Sequence, residues 1–322
     1  MKRILYAVIF FSLLAGGKAV AQTQPQFSHY GFNGMYLSPG YAGINKATEF
    51  NMIGRYQWFG YKADFNDDGG SPKTALFNVS IPVRAIKGGI GVNFVVEEIA
   101  LTTVKSGQLA YAYHLPLGNG KLGIGAQGIV TNIGKGYGYR AIDQGDPNIP
   151  NVSNDTKFEL GGGLWYQEDK FYAGASINNL LGSKYEFESF PTDNGGDKKA
   201  TVTNGKHIYV TAGYNIDASS SVVVTPTALF KYAEKASFDV GARATINTKY
   251  WIGANYRHQE AVTGMLGMGL LKDNTLRLGY AFDFTTFGKD AKEMGSHEIM
   301  LSYRIPQLMA AKPPIRTPRY SF

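Results

Sequence analysis

Apolar side chains fall on alternate positions through most of the chain beyond residue 48. In residues 275–284, TLRLGYAFDF, Leu276, Leu278, Tyr280, Phe282 and Phe284 form one set, and Arg277, Gly279, Ala281 and Asp283 lie between them. A side-chain period of two marks an extended strand with one apolar face. Residues 236–247 repeat the pattern, with Phe238, Val240, Ala242, Ala244 and Ile246 against Asp239, Gly241, Arg243 and Thr245. In residues 297–305 the sets are Ile299, Leu301, Tyr303 and Ile305 against Glu298, Met300, Ser302 and Arg304. Fourteen such segments are predicted, at 48–60, 73–82, 88–97, 106–116, 121–132, 157–167, 170–179, 206–216, 220–231, 237–246, 249–258, 261–271, 275–284 and 297–305.

The gaps decide which way the apolar faces point. Even-to-odd connections are short, such as Arg84–Lys87, Gly118–Gly120, Glu168-Asp169, Asn247-Thr248 and Lys272–Asn274. Odd-to-even connections are often long, at 61–72, 133–156, 180–205 and 285–296, although those near 98–105 and 259–260 are short. Alternating short turns and long loops is the layout of an outer-membrane barrel, and an even strand count leaves both termini in the periplasm. A soluble sandwich has no reason to segregate its long loops, and no propeller repeat is visible. The expected fold is therefore an all-β transmembrane barrel of about 14 antiparallel strands, with apolar residues toward lipid.

The inward set then contains Arg55, Glu159, Asp239, Arg243, Arg257, Arg277, Asp283, Glu298 and Arg304. These are expected to form a lumen charge network that holds the barrel closed, the alternative being a selective conduit, and neighbouring strands could pair Arg277 with Glu298, or Asp283 with Arg304. Pro226 lies inside 220–231, and a closed barrel offers it no free edge, so a bulge is expected there.

Composition narrows the setting. The chain opens MKRILYAVIFFSLLAGGKAVAQ: a basic start, a short apolar run and Ala19-Val20-Ala21 before Gln22. That reads as a signal peptide over 1–21, since the run falls short of the roughly 20 residues a spanning helix needs. The absence of Cys excludes disulfides and thiolate metal sites. Net charge is +7, of which Lys2, Arg3 and Lys18 belong to the leader, and no basic block points to nucleic acid. Forty Gly, 21 Tyr and 19 Phe suit crowded strands and membrane interfaces.

The local wording carries a resemblance. PQFSHYGFNGMYLSPGYAG (25–43), GRYQW (54–58), GGSPKTALFNVSIPV (69–83), LAYAYHLPLGNGKLGIGAQG (109–128), KFELGGGLWY (157–166), KFYAGASINNLL (170–181), VTPTALFKY (224–232), YWIGANYR (250–257), LRLGYAFDF (276–284) and SHEIMLSY (296–303) occur in order across nearly the whole mature chain. Together they resemble the PorP/SprF family of outer-membrane proteins of the type IX secretion system. The resemblance implies an integral outer-membrane barrel, in contact with outer-membrane lipid, working with the secretion and gliding-motility apparatus. It also implies support for export or surface attachment of cargo bearing C-terminal sorting domains, and links to periplasmic peptidoglycan-associated and ring components.

Three regions lie outside the strands. Residues 22–47 carry Phe27, Tyr30, Phe32, Tyr36 and Tyr41. They read as a plug of the lumen, because so many rings would not stay in water, or as a periplasmic docking segment. The tail over 306–322 is Pro-rich and basic, and reads as a partner-binding extension or a disordered end. Loops 133–156 and 180–205 suit contact with exported cargo, the alternative being a cover for the barrel mouth.

Other chemistry is weakly indicated. Gly123, Gly125 and Gly128 match G-x-G-x-x-G but sit within a strand with no helix following, so no dinucleotide cofactor is expected. Asp64, Asn66 and Asp68 begin a calcium-loop pattern whose twelfth position is Ala75 rather than Glu. The five His show no ligand spacing, and no catalytic signature is present, so neither an enzyme nor a cofactor is expected. The competing function is an outer-membrane channel or hydrophobic-ligand transporter.

Overall fold

The computed structural model describes residues 24–61, 70–136, 152–191, 197–233, 235–287 and 295–306. Fourteen strands wind up and down a closed antiparallel sheet: β1 (Ala47–Tyr56), β2 (Lys73–Val83), β3 (Gly88–Ile99), β4 (Thr102–Leu117), β5 (Gly120–Lys135), β6 (Ser153–Gln167), β7 (Phe171–Asn178), β10 (His207–Tyr214), β12 (Val222–Ala233), β13 (Lys235–Ile246), β14 (Tyr250–Arg257), β15 (Ala261–Leu270), β16 (Leu276–Thr285) and β17 (Gly295–Pro306). Between β7 and β10 lie β8 (Lys184–Pro191) and β9 (Asp197–Thr203), a hairpin of their own, and β11 (Ile216–Asp217) continues the pairing of β10. The first and last strands close the cylinder, with Ile53 opposite Met300 and Asn51 opposite Ser302.

The apolar faces point outward. Leu278, Tyr280, Phe282 and Phe284 of β16 are exposed on the outer surface, whereas Asp283 keeps 1 % of its surface and Ala281 none. On β17 Ile299, Leu301, Tyr303 and Ile305 are likewise exposed, with Glu298 and Met300 buried. An exposed apolar belt over a buried polar interior is the inverse of a water-soluble fold and matches a hydrocarbon environment. Closure removes all edges, so the backbone groups in the hydrocarbon layer are met within the sheet.

Several strands extend further than the sequence pattern indicates. β3 and β4 are joined through Ala100-Leu101 alone, in place of a gap at 98–105, and Ala100 adopts φ +50. β5 runs to Lys135 and β6 starts at Ser153, shortening the loop expected over 133–156. β1 ends early, at Tyr56, because Trp58 takes a left-handed φ of 52 and the chain turns there. The region 180–205 is largely the β8–β9 hairpin, whose strand period is short in β8, where the register shifts between Phe187 and Phe190, and masked by polar residues in β9.

No bulge forms at Pro226. Gly213 pairs with Thr227 and Ile216 with Val224, so both sides keep one register, and β13 pairs without a shift through Ala242 opposite Pro226. The ladder instead skips the rung at Pro226, which has no N–H to donate. The Thr225 hydroxyl donates to Asn215 Oδ1 at 2.8 Å beside the missing rung.

Candidate functional site

Residues 24–45 lie inside the cylinder. The segment is a succession of short turns, Tyr30–Phe32, Gly34–Leu37 and Pro39–Tyr41, and Ser38 Oγ accepts from the Gly40 N–H at 3.2 Å to start the last. Its partners lie around the whole circumference. Asn33 Oδ1 accepts from Asn78 of β2, the Met35 carbonyl from Asn93 of β3, and the Leu37 carbonyl from Ser176 of β7. The Ala42 carbonyl lies 2.9 Å from His114 Nε2 of β4, and Tyr30 Oη 2.8 Å from Thr227 Oγ1 of β12. The Ser28 carbonyl accepts from Asn255 of β14.

Glycines on the wall make room for this segment. A Cβ on Gly123 or Gly125 would overlap the backbone of Gly40 and Pro39, and one on Gly89 would overlap Ala42 and Gly43. The Gly-rich inward faces of β3, β5 and β6 thus have a physical role: they let backbone approach backbone. Phe27, Tyr30, Tyr36 and Tyr41 are buried, Phe32 half-buried. Their rings pack edge-on or tilted: Phe27 on Tyr36 at 5.1 Å, Tyr41 on Trp165 at 5.0 Å and Phe32 on Trp251 at 5.2 Å between centroids.

The charged residues form two groups rather than one network. In the external half, Arg55 Nη2 lies 2.7 Å from Asp283 Oδ2 and its Nη1 3.3 Å from Glu298 Oε2. Arg257 reaches Asp239, Glu260 and Asp283, and Lys231 also pairs with Asp239. The inner segment is tied into this group. Glu298 accepts from the Ser28 and His29 N–H groups at 2.8 Å each, and its Oε1 lies 2.8 Å from His29 Nδ1. The Ser28 hydroxyl donates to Asp283. Removal of such charges from water is tolerated because each is paired and both oxygens of Asp283 and of Glu298 accept hydrogen bonds, although Arg55 Nε has no partner among the described residues.

The second group lies toward the periplasmic end. Arg304 Nη2 bonds Glu49 Oε1 at 2.6 Å, and Glu49 Oε2 also accepts from Tyr41 and Asn45. Arg243 stacks on Phe32, with its guanidinium carbon 4.2 Å from the ring centroid. Arg277 makes no ion pair with the described residues.

The strand pairs expected from sequence do not form. Arg277 lies opposite Ser302, Ala281 opposite Glu298, and Asp283 opposite Ser296. Arg277 and Glu298 consequently belong to opposite ends of the lumen, as do Asp283 and Arg304. Ser28, His29, Glu49, Lys231 and Glu260 were not singled out in advance. The alternation in β1, with Glu49, Asn51, Ile53 and Arg55 on one face, was the signal available for Glu49.

The β8–β9 hairpin packs onto the external ends of β5 and β6. Tyr185 and Phe187 of the β8–β9 hairpin are buried, and Lys135 Nζ lies 4.4 Å above the Phe187 ring. Glu159 accepts from the Leu181 and Ser183 N–H groups, holding the approach to the hairpin. A small cleft lined by Gln26, Phe27, Tyr36, Tyr209 and Lys231 remains beside the inner segment. The calcium-loop pattern falls mostly at 62–69 and the tail at 307–322, both outside the described residues, as do the leader and most of loop 133–156.

A closed 14-strand antiparallel cylinder with an outward apolar belt defines an integral outer-membrane β-barrel. The profile of the family described as type IX secretion system membrane protein PorP/SprF matches residues 19–303, and the chain belongs to that family. No curated protein matches the chain. Among solved structures, the toluene transporter TbuX of Ralstonia pickettii is similar at TM-score 0.52 and 11 % identity, over 85 % of this chain and 93 % of that one. The CymD monoaromatic hydrocarbon channel has TM-score 0.49 and 11 % identity, over 92 % of this chain and 97 % of that one. At such identity the likeness to TbuX is one of fold.

Proposed function

We propose that the protein is a docking and anchoring platform of the type IX secretion system. In this reading the external loops and the β8–β9 hairpin engage exported cargo through its C-terminal sorting domain. The periplasmic face engages the peptidoglycan-associated and ring components. The observation that carries it is the occupied lumen: residues 24–45 fill the cylinder and are bonded to strands around its circumference. A barrel filled by its own chain offers its two ends, rather than its bore, as working surfaces. Family membership supplies the system in which those surfaces act.

The competing reading, a channel for a hydrophobic ligand, draws on the likeness to TbuX. It is disfavoured by an interior rich in ionic side chains, since a path for apolar molecules is lined mainly by apolar ones.

Affinity capture of the tagged protein from outer membranes, followed by mass spectrometry, tests the platform. The expected result is co-recovery of an exported protein with a C-terminal sorting domain, together with periplasmic ring components. Recovery of abundant porins alone would overturn it, and conductance of the purified protein in liposomes would favour the channel.

A further inference from the structure

The inner segment fills the lumen unevenly. At the periplasmic end, Pro39, Gly40 and Ala42 press against β3, β5 and β6. On the opposite wall, Thr227, Gly241, Arg243, Thr245, Gly267, Arg277 and Arg304 face inward yet stay partly accessible, as does Gly31 of the segment. This leaves a vestibule open to the periplasm between the inner segment and β12 to β17.

The vestibule carries unneutralised positive charge. Arg277 and Arg304 share Glu49 as their acidic neighbour, while Arg243 faces Arg277 and makes no ion pair with the described residues. Glu49 already serves Arg304, Tyr41 and Asn45, so Arg277 has no ion-pair partner among the described residues. Arg243 Nε and the indole N–H of the buried Trp251 also have no acceptor. An arginine facing another arginine with donors unspent is costly unless an anion completes it. Guanidinium groups prefer planar, two-oxygen acceptors, and aromatic walls such as Phe32 and Trp251 suit a peptide.

We propose that this vestibule binds a side-chain carboxylate of an acidic peptide segment belonging to a periplasmic partner, with Arg243 and Arg277 as the carboxylate clamp. The proposal rests on the platform reading and names the chemistry of its periplasmic contact. The chain's own tail is the nearer candidate, because it follows β17 just beyond Arg304. It carries Lys312, Arg316 and Arg319 and no Asp or Glu, so its charge is of the wrong sign. Lipid phosphate is disfavoured because the arginines point into the cylinder, away from the acyl chains.

The test is calorimetry on the purified full-length protein in nanodiscs at low salt. The probe is the capped pentapeptide Gly-Glu-Ala-Glu-Gly, compared with Gly-Gln-Ala-Gln-Gly. The Glu peptide is expected to bind at least about tenfold tighter, with that advantage lost in Arg277→Gln and Arg243→Gln and largely kept in Arg277→Lys. Heat-modifiable gel mobility confirms that each variant is a closed barrel. Equal binding of the two peptides, or an Arg277→Gln protein that binds as the parent does, overturns the proposal. Displacement by equimolar inorganic phosphate would assign the site to phosphate groups instead. Tighter peptide binding by a chain ending at Pro306 would assign it to the tail. Failure here with cargo capture intact would leave the platform standing, and the reverse outcome would remove the platform alone.

Discussion

Glu298, near the start of the last strand, holds Ser28 and His29 of the inner segment through three contacts of 2.8 Å while also facing Arg55 of the first strand. The side chain therefore joins the barrel seam to the contents of the lumen. One carboxylate satisfies two backbone donors that have no helix or sheet to satisfy them.

Removing that carboxylate should loosen the segment. Glu298→Ala leaves the Ser28 and His29 N–H groups and part of the Arg55 charge unpaired, a loss of about 3–5 kcal/mol for a broken buried pair. Thermolysin should then cut within residues 27–41 of the variant, where the parent is protected. Equal protection would mean that the wall contacts of Gly123 and Gly125 suffice alone.

Those wall contacts make a separate prediction. In Gly123→Ala the added methyl collides with the Gly40 carbonyl, and backbone on both sides limits relaxation. Overpacking of this kind costs about 1–3 kcal/mol. The expected result is a lower urea midpoint and greater thermolysin cleavage around Pro39, with the barrel still heat-modifiable. A variant matching the parent in both would place the turn away from β5.

Alkaline pH should act through the inner segment. Burial first, then Tyr209 and Glu97, holds the Tyr36 phenol well above its ordinary value of 10.0; for Tyr41 it is burial and then Glu49. Above about pH 10 the unfolded chain loses these protons while the folded protein keeps them. The unfolded state then binds fewer protons, so stability falls as pH rises, by about 1.4 kcal/mol per pH unit for each tyrosine. The urea midpoint should drop from about pH 10 to 12, and less steeply in a Tyr36→Phe, Tyr41→Phe double variant. Identical slopes would show that these phenols titrate normally.

The outward orientation of the apolar belt is tested by charge. Leu266 on β15 is 56 % exposed and near mid-strand. Leu266→Arg should cost about 2–4 kcal/mol in folding into bilayers, as expected for a lipid-facing position at mid-depth. A cost near zero would contradict contact with hydrocarbon.

The barrel was legible because lipid and lumen impose opposite chemistry on alternate residues. TLRLGYAFDF carries that rule in a single strand, and the loop asymmetry fixed its direction. Strand ends were less legible: Ala100-Leu101 carries no Gly or Pro to announce the turn between β3 and β4. The charge partners were not legible from strand order. In a filled cylinder, Arg55 meets Asp283 across β17 rather than along a single ladder, and Ser28 bonds from the interior. Pro226 misled for a related reason: a skipped rung needs no extra residue when Thr225 and Asn215 bond beside it.

The position of Glu298 bears on how the molecule is put together. The strand that completes the cylinder also carries the group that grips the chain's earliest described turns. Zipping β17 to β1 and seating the amino-terminal coil are thus linked energetically through one carboxylate. A shell sealed without its filling would keep the Arg55 ion pairs but deprive Glu298 and Asp283 of the Ser28 and His29 donors, so the finished cylinder favours its own occupant.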